Sequence, residues 1–292
     1  MQLTLLRLLL AVVHVACWAV PAVGEPGHRY LPGIKWEQPP AVTPGSKPGA
    51  PPSDAIVLFD GQDTSAWKNA QRWKIENGEW IVDRGTISTH QHFGDCQLHL
   101  EWSAPNPRKR KGQAAGNSGV FFMYFPPKWR GYEVQILDAY QNQTYPDGQA
   151  GAIYKQRPPM VNPVRPPGEW NTYDIFWTAP KFTDEGELKS PAYVTVVING
   201  VLVQNHFELE GDTPYNRFPE YQFVDHKGPI SLQDHKSPVR YRNIWVREIK
   251  PAAGERVHEP RLKAVKATKK TANSGKSGER ENTNRRSIMA RE

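Results

Sequence analysis

Apolar and polar residues alternate without a break from Cys96 to Ser103: Cys96, Leu98, Leu100 and Trp102 fall on one side, Gln97, His99, Glu101 and Ser103 on the other. A period of two marks a half-buried strand, so this segment predicts one core face and one wet face. Similar short patterns predict strands at 79–83, 85–89, 119–125, 132–137, 172–178, 192–199, 201–207, 230–233 and 239–249. Asn199 and Gly200, between two apolar runs, both tolerate positive φ and predict a two-residue hairpin pairing 192–198 with 201–207. No segment sustains a helical period between caps. Many short strands without helices predict an all-β fold, two antiparallel sheets stacked as a sandwich or jelly roll.

The ends of the chain break this pattern. Arg7 followed by an apolar run from Leu8 to Val20, then Pro21 and the small residues to Gly24, reads as a secretory signal over 1–24. The run is short for a membrane span and no later segment is long enough, so the expected location is secreted or periplasmic. A lipid anchor at Cys17 is the other reading, in a poor sequence context. Residues 25–54 are rich in Pro, Gly and Ser and predict an extended linker or surface arm. Residues 251–292 carry eleven Lys or Arg against five Asp or Glu, which accounts for nearly all of the net charge of +7, and predict a basic disordered tail. The tail lacks interleaved aromatics, which argues against nucleic acid; an anionic envelope surface is a better partner for it, and an idle solvated tail needs none. Residues 55–250 remain for one domain with a sizeable core. Removal of the signal leaves Cys96 as the single cysteine, placed to pack in the core, so no internal disulfide forms.

The segment GYEVQILD, 131–138, concentrates the chemistry. On a strand Glu133, Gln135 and Leu137 share the face opposite Val134 and Ile136, and a bulge or bend at the strand end would bring Asp138 round to the same cleft. Two carboxylates in one cleft suit acid/base work, one protonated and one ionised. An ordinary strand with a polar side reads the same way from spacing. Asn117, in a Gly-flanked turn before an apolar strand, is a sugar-hydroxyl partner or a turn residue. Tyr154 is an oxyanion donor, a stacking platform or a half-buried core tyrosine. Gln233 and His235 end the segment GPISLQDH, and His235, beside Asp234, is the histidine best placed for acid/base or metal work. His90 and His92 have the spacing of two ligands on one strand face but no third nearby. The sequence requires no cofactor; a divalent cation, if bound, would draw on Glu133, Asp138 and His235.

LFDGQDTSAW (58–67), NSGVFF (117–122), GYEVQILD, GAIY (151–154), GEWN (168–171), VINGVLV (197–203), GPISLQDH and VRYRNIWVREI (239–249) occur in this order. Together they closely resemble the 3-keto-disaccharide hydrolase domain. The resemblance covers 55–250 and implies a concanavalin A-like jelly roll acting on an oligosaccharide or glycoside oxidised at C3. It further implies that Glu133 or Asp138 removes the C2 proton, that the other carboxyl or His235 protonates the leaving oxygen, and that Gln135, Asn117 or Tyr154 stabilises the enolate. Elimination and rehydration then give net hydrolysis. The loop 105–115, with Arg108, Lys109, Arg110 and Lys111, and the insertion 181–190 look particular to this chain and leave the leaving group open. A carbohydrate-binding module without catalysis is the alternative reading of the same sandwich.

Overall fold

The computed structural model describes residues 31–127 and 131–260. The expected signal segment and most of the basic tail lie outside them. Residues 38–252 form one unit; the residues before 38 and after 252 form another. In that second unit Ile34–Trp36 pairs antiparallel with Gly254–Arg256. The beginning of the segment expected to be disordered is therefore a strand, because its backbone groups find partners in a distant stretch of chain.

The main unit is built on two large antiparallel sheets, with Lys181–Phe182 and Leu188–Ser190 forming a further two-stranded one. One runs in the order Trp67–Lys68, Ile87–Phe93, Gly228–Leu232, Ser118–Phe122, Tyr132–Ile136. The other, eight-stranded, runs Val201–Glu208, Tyr193–Ile198, Trp170–Thr178, Cys96–Ser103, Arg240–Glu248, Glu79–Ile81, Lys74–Glu76, with Ile56–Phe59 also paired to Arg240–Glu248. This is the expected two-sheet sandwich. Helical structure among the described residues is limited to three-residue 3-10 turns such as Ala70–Arg72. Asn199 and Gly200 both take positive φ, 52° and 79°, and close the hairpin in which Ile198 pairs with Val201.

Large aromatics join the sheets. The Phe122 and Trp177 rings stack with centroids 4.8 Å apart, and Tyr132 lies 5.0 Å from Trp177. Tyr173 Oη donates across the core to the Gln135 carbonyl at 2.8 Å, and Ser118 Oγ lies 2.6 Å from Tyr241 Oη. Burying such rings stabilises each by several kcal/mol; truncating Trp177 to Ala would cost about 3–5 kcal/mol. Cys96 is fully buried here, and burial pushes its thiol well above the usual range.

The expected wet face of Cys96–Ser103 is only partly wet. His99 is 2 % exposed because the arm before the domain lies over it: the Gly49 carbonyl accepts from Asn243 Nδ2 at 2.8 Å and Trp245 Nε1 at 2.9 Å, and the Trp245 ring stacks on His99.

Candidate active site

Tyr132–Ile136 is the last strand of its sheet, and its free edge is capped. Gln135 N–H donates to Ala152 O, Gly151 N–H to Gln135 O, and Tyr154 N–H to Glu133 O at 3.2 Å, so GAIY covers the edge backbone. Thr213 Oγ1 accepts from Glu133 N–H at 2.9 Å. These segments explain a departure from the simple alternation: Glu133 and Gln135 face away from the inter-sheet core, yet they are 5 % and 1 % exposed.

On that outer face the strands Ser118–Phe122 and Tyr132–Ile136 place Gly119 opposite Gln135 and Phe121 opposite Glu133. The Glu133 carboxylate leans over Gly119, where a Cβ would stand 2.3 Å from Oε1. Gly119 does not have positive φ, so it serves as space, not as a backbone hinge. Gln135 Nε2 donates to Asn117 Oδ1 at 3.2 Å and to the Ile136 carbonyl at 3.0 Å, while Asn117 Nδ2 donates to Gln113 O at 2.6 Å. Gln233 is tied by its backbone to the same strand: its N–H donates to Gly119 O at 2.9 Å and its carbonyl accepts from Ser118 Oγ at 2.6 Å. Its buried Oε1 has no hydrogen-bond partner among the described residues. Tyr154 Oη lies 2.8 Å from Tyr145 Oη. Burial, that hydrogen bond and the charges of Tyr145 and Glu133 hold the Tyr154 phenol well above the ordinary tyrosine range, so it stays protonated.

Glu133, Gln135, Asn117, Gln233 and Tyr154 therefore lie in one neighbourhood. Among the described residues, Asp138 and His235 make no side-chain hydrogen bond or ion pair to this group. The bend expected to turn Asp138 towards Glu133 gives way to an ion pair: Arg108 Nε and Nη2 donate to Asp138 Oδ2 and Oδ1 at 2.5 and 2.8 Å, with Asp138 1 % exposed. Arg108 also donates to the Tyr140 carbonyl, so the pair pins the loop 105–115. His235 is exposed in the turn after Gly228–Leu232, beside Asp234, which accepts from the Gly85 and Lys236 backbone N–H groups. Among the described residues no group of three His, Cys, Asp or Glu side chains could hold a metal ion, so the cation set expected from Glu133, Asp138 and His235 is not assembled.

Sequence reading missed Tyr145, Thr213 and Arg108. Nothing local signals Tyr145 as the partner of Tyr154, or Thr213 and Arg108 as partners of 133 and 138.

A family model for a 3-keto-alpha-glucoside-1,2-lyase-like domain matches residues 54–247. A curated Bacteroides thetaiotaomicron protein named 3-keto-disaccharide hydrolase is 24% identical over 235 residues, 66% of this chain and 77% of that protein. A crystal structure from Parabacteroides distasonis, provisionally described as a glycosyl hydrolase, is 43% identical with a TM-score of 0.68, covering 77% of this chain and 99% of that one. A second from the same organism, at 21% identity and TM-score 0.51 over 68% and 94% of the two chains, shares the fold.

Proposed function

The chain belongs to the 3-keto-alpha-glucoside-1,2-lyase-like family, and on that premise we propose that it is a hydrolase of 3-keto-disaccharides, working by elimination and rehydration. A ketone at C3 acidifies the C2 proton. Glu133 removes that proton, the electron pair becomes an enolate, and its collapse forms the C1–C2 double bond as the C1–oxygen bond breaks. The expelled oxygen takes up a proton, in net terms the one that left C2. Water then adds across the double bond, hydroxyl to C1 and proton to C2.

The observation that carries this reading is the placement of Glu133 Oε1 over Gly119, beside a row of amides. Tyr154, kept protonated, donates to the enolate oxygen, where a hydrogen bond strengthens as charge develops. Gln135 and Asn117 fix one another and offer their remaining polar atoms to sugar hydroxyls, and Gln233 Oε1 accepts from a third. Asp138 acts through Arg108, holding the adjoining loop. The apolar run from Leu8 to Val20 supports action outside the cytoplasm.

The test is incubation with a 3-keto-disaccharide and its unoxidised parent while following released sugar. Turnover of the oxidised form alone, lost about 100- to 10,000-fold in Glu133→Gln with melting temperature retained, is the expected result. Retention of both sugars without cleavage would make the domain a binding module. Near-normal activity in Glu133→Gln would remove that residue from the mechanism.

A further inference from the structure

The loop 212–220 carries an exposed aromatic, Tyr215, on a base that is tied down at both ends. Asp212 N–H donates to Glu220 O at 2.9 Å, and the buried Asp212 carboxylate accepts from Glu220 N–H at 3.1 Å and pairs with Arg217. Gln156, two residues after Tyr154, donates to the Gly211 and Asp212 carbonyls at 2.9 and 2.8 Å and accepts from Glu210 N–H at 2.9 Å. Thr213 is held next: its N–H donates to Gly131 O at 3.2 Å, and its Oγ1 accepts from Glu133 N–H. Pro214 then fixes its own φ and keeps Thr213 out of the helical region, which limits the direction in which the chain leaves this anchor for Tyr215.

These ties bring Tyr215 to the Glu133 site. Two residues of chain span at most about 7 Å, so the Tyr215 Cα lies within that reach of the Thr213 Cα, whose hydroxyl bonds the Glu133 backbone. Burial is the main reason that the Tyr145 and Tyr154 phenols titrate above the ordinary tyrosine range, and the charge of Tyr215 adds to both shifts. Both contributions place the Tyr215 hydroxyl near the bonded pair Tyr145–Tyr154, where the Glu133 charge also acts. The rings of that pair are engaged with each other, and Lys155 Nζ stands 4.5 Å from the Tyr145 centroid. Tyr215 is 68 % exposed and, among the described residues, makes no side-chain hydrogen bond, ring contact or cation contact. A ring on a fixed mount beside a sugar site can cover the apolar C–H face of a pyranose while its hydroxyl stays in water, and a mount ordered beforehand lowers the entropy cost of binding.

We propose that Tyr215 is a stacking platform for the sugar ring held at Glu133, a binding residue that recognises a pyranose face and not its hydroxyls. The inference rests on the proposed cleavage of 3-keto-glycosides and adds one wall of the substrate site.

The test compares the wild type with Tyr215→Ala, Tyr215→Phe and, as a control on the same loop, Phe218→Ala, a residue that is 89 % exposed. None of the three should move the melting temperature by more than about 2 °C, because each changes an exposed side chain. With a 3-keto-disaccharide, Tyr215→Ala is expected to raise KM about 10-fold with kcat within about 2-fold of the wild type, Tyr215→Phe to keep KM near the wild-type value, and Phe218→Ala to change neither. An unchanged KM in Tyr215→Ala overturns the platform and leaves the cleavage reading standing. So does an equal rise in Tyr215→Phe, which would assign the binding to the hydroxyl, or in Phe218→Ala, which would assign it to the loop as a whole. If no 3-keto-disaccharide is cleaved, the cleavage reading fails, and calorimetric titration with that sugar still decides the platform. Heat of binding present in the wild type and Tyr215→Phe but lost in Tyr215→Ala supports it; heat retained in Tyr215→Ala, or no heat in the wild type, overturns it.

Discussion

On the outer face of the eight-stranded sheet, His99 Nδ1 donates to Asp174 Oδ1 at 2.8 Å, Arg242 Nε to Glu101 Oε2 at 2.7 Å, and Asn243 Nδ2 to Glu101 Oε1 and Gly49 O, both at 2.8 Å. On the outer face of the smaller sheet, Asn117, Gln135, Glu133 and Gln233 are comparably rich in polar atoms, but Gln233 Oε1 is buried and has no partner among the described residues. Polar burial alone does not separate the two. Saturation does: the first network satisfies its own members and an arm of the same chain, whereas the second keeps acceptor capacity that a sugar hydroxyl would fill. The first is closed on itself; the second leaves an acceptor open for the sugar proposed above.

Substitutions should divide along that line. The largest contrast is Glu133→Gln, expected to cost about 100- to 10,000-fold in turnover with little change in melting temperature, against Asn243→Ala, expected to spare turnover. Equal losses of activity from both would erase the distinction. Next comes Arg108→Ala, which strands the buried Asp138 carboxylate. Because Arg108 is itself 25 % exposed, a loss of about 3 kcal/mol, at the low end for a broken buried pair, is expected in urea unfolding. Asn243→Ala removes hydrogen bonds to Glu101 and the arm and should cost about 1–2 kcal/mol by the same measurement. Gln233→Met sharpens the comparison most finely. Deleting an unsatisfied acceptor should leave stability within about 0.5 kcal/mol while raising KM several-fold; a clear stability loss would mean that the side chain is already satisfied in the free protein.

Alkali probes the tyrosines at the margin of the core. Burial pushes Tyr221 up to about 12, above the value of about 10 in an unfolded chain. Between those values the unfolded chain has lost a proton that the folded one retains, so stability is full below pH 10 and falls as pH rises beyond it. Thermal melts from pH 8 to 11 should show this decline, and a flat profile would contradict it.

Much of the sandwich was legible in single segments. Cys96–Ser103 emerged with both ends in place because its alternation is unbroken, and the Asn199–Gly200 turn fixed its hairpin through positive φ. Ile56–Phe59, Trp67–Lys68 and Lys74–Glu76 were missed because two to four residues carry too little periodicity. Ile34–Trp36 and Gly254–Arg256 depend on each other across the whole domain, and composition around 254 pointed to disorder. The site was half legible. Alternation put Glu133 and Gln135 on one face, but Asp138 is decided by Arg108, thirty residues earlier in a loop of surface-type cations, and no spacing rule links them.

The hydrogen in place of a side chain at residue 119 has a consequence for tracing how such domains change role. A single methyl there would collide with Oε1 while leaving the strand's backbone within reach of any amino acid. One codon could thus displace the carboxylate of the proposed base without unfolding the sheet, which on the reading proposed above would exchange cleavage of the sugar for retention of it. Installing alanine at that position in this chain would recreate such a transition on the bench.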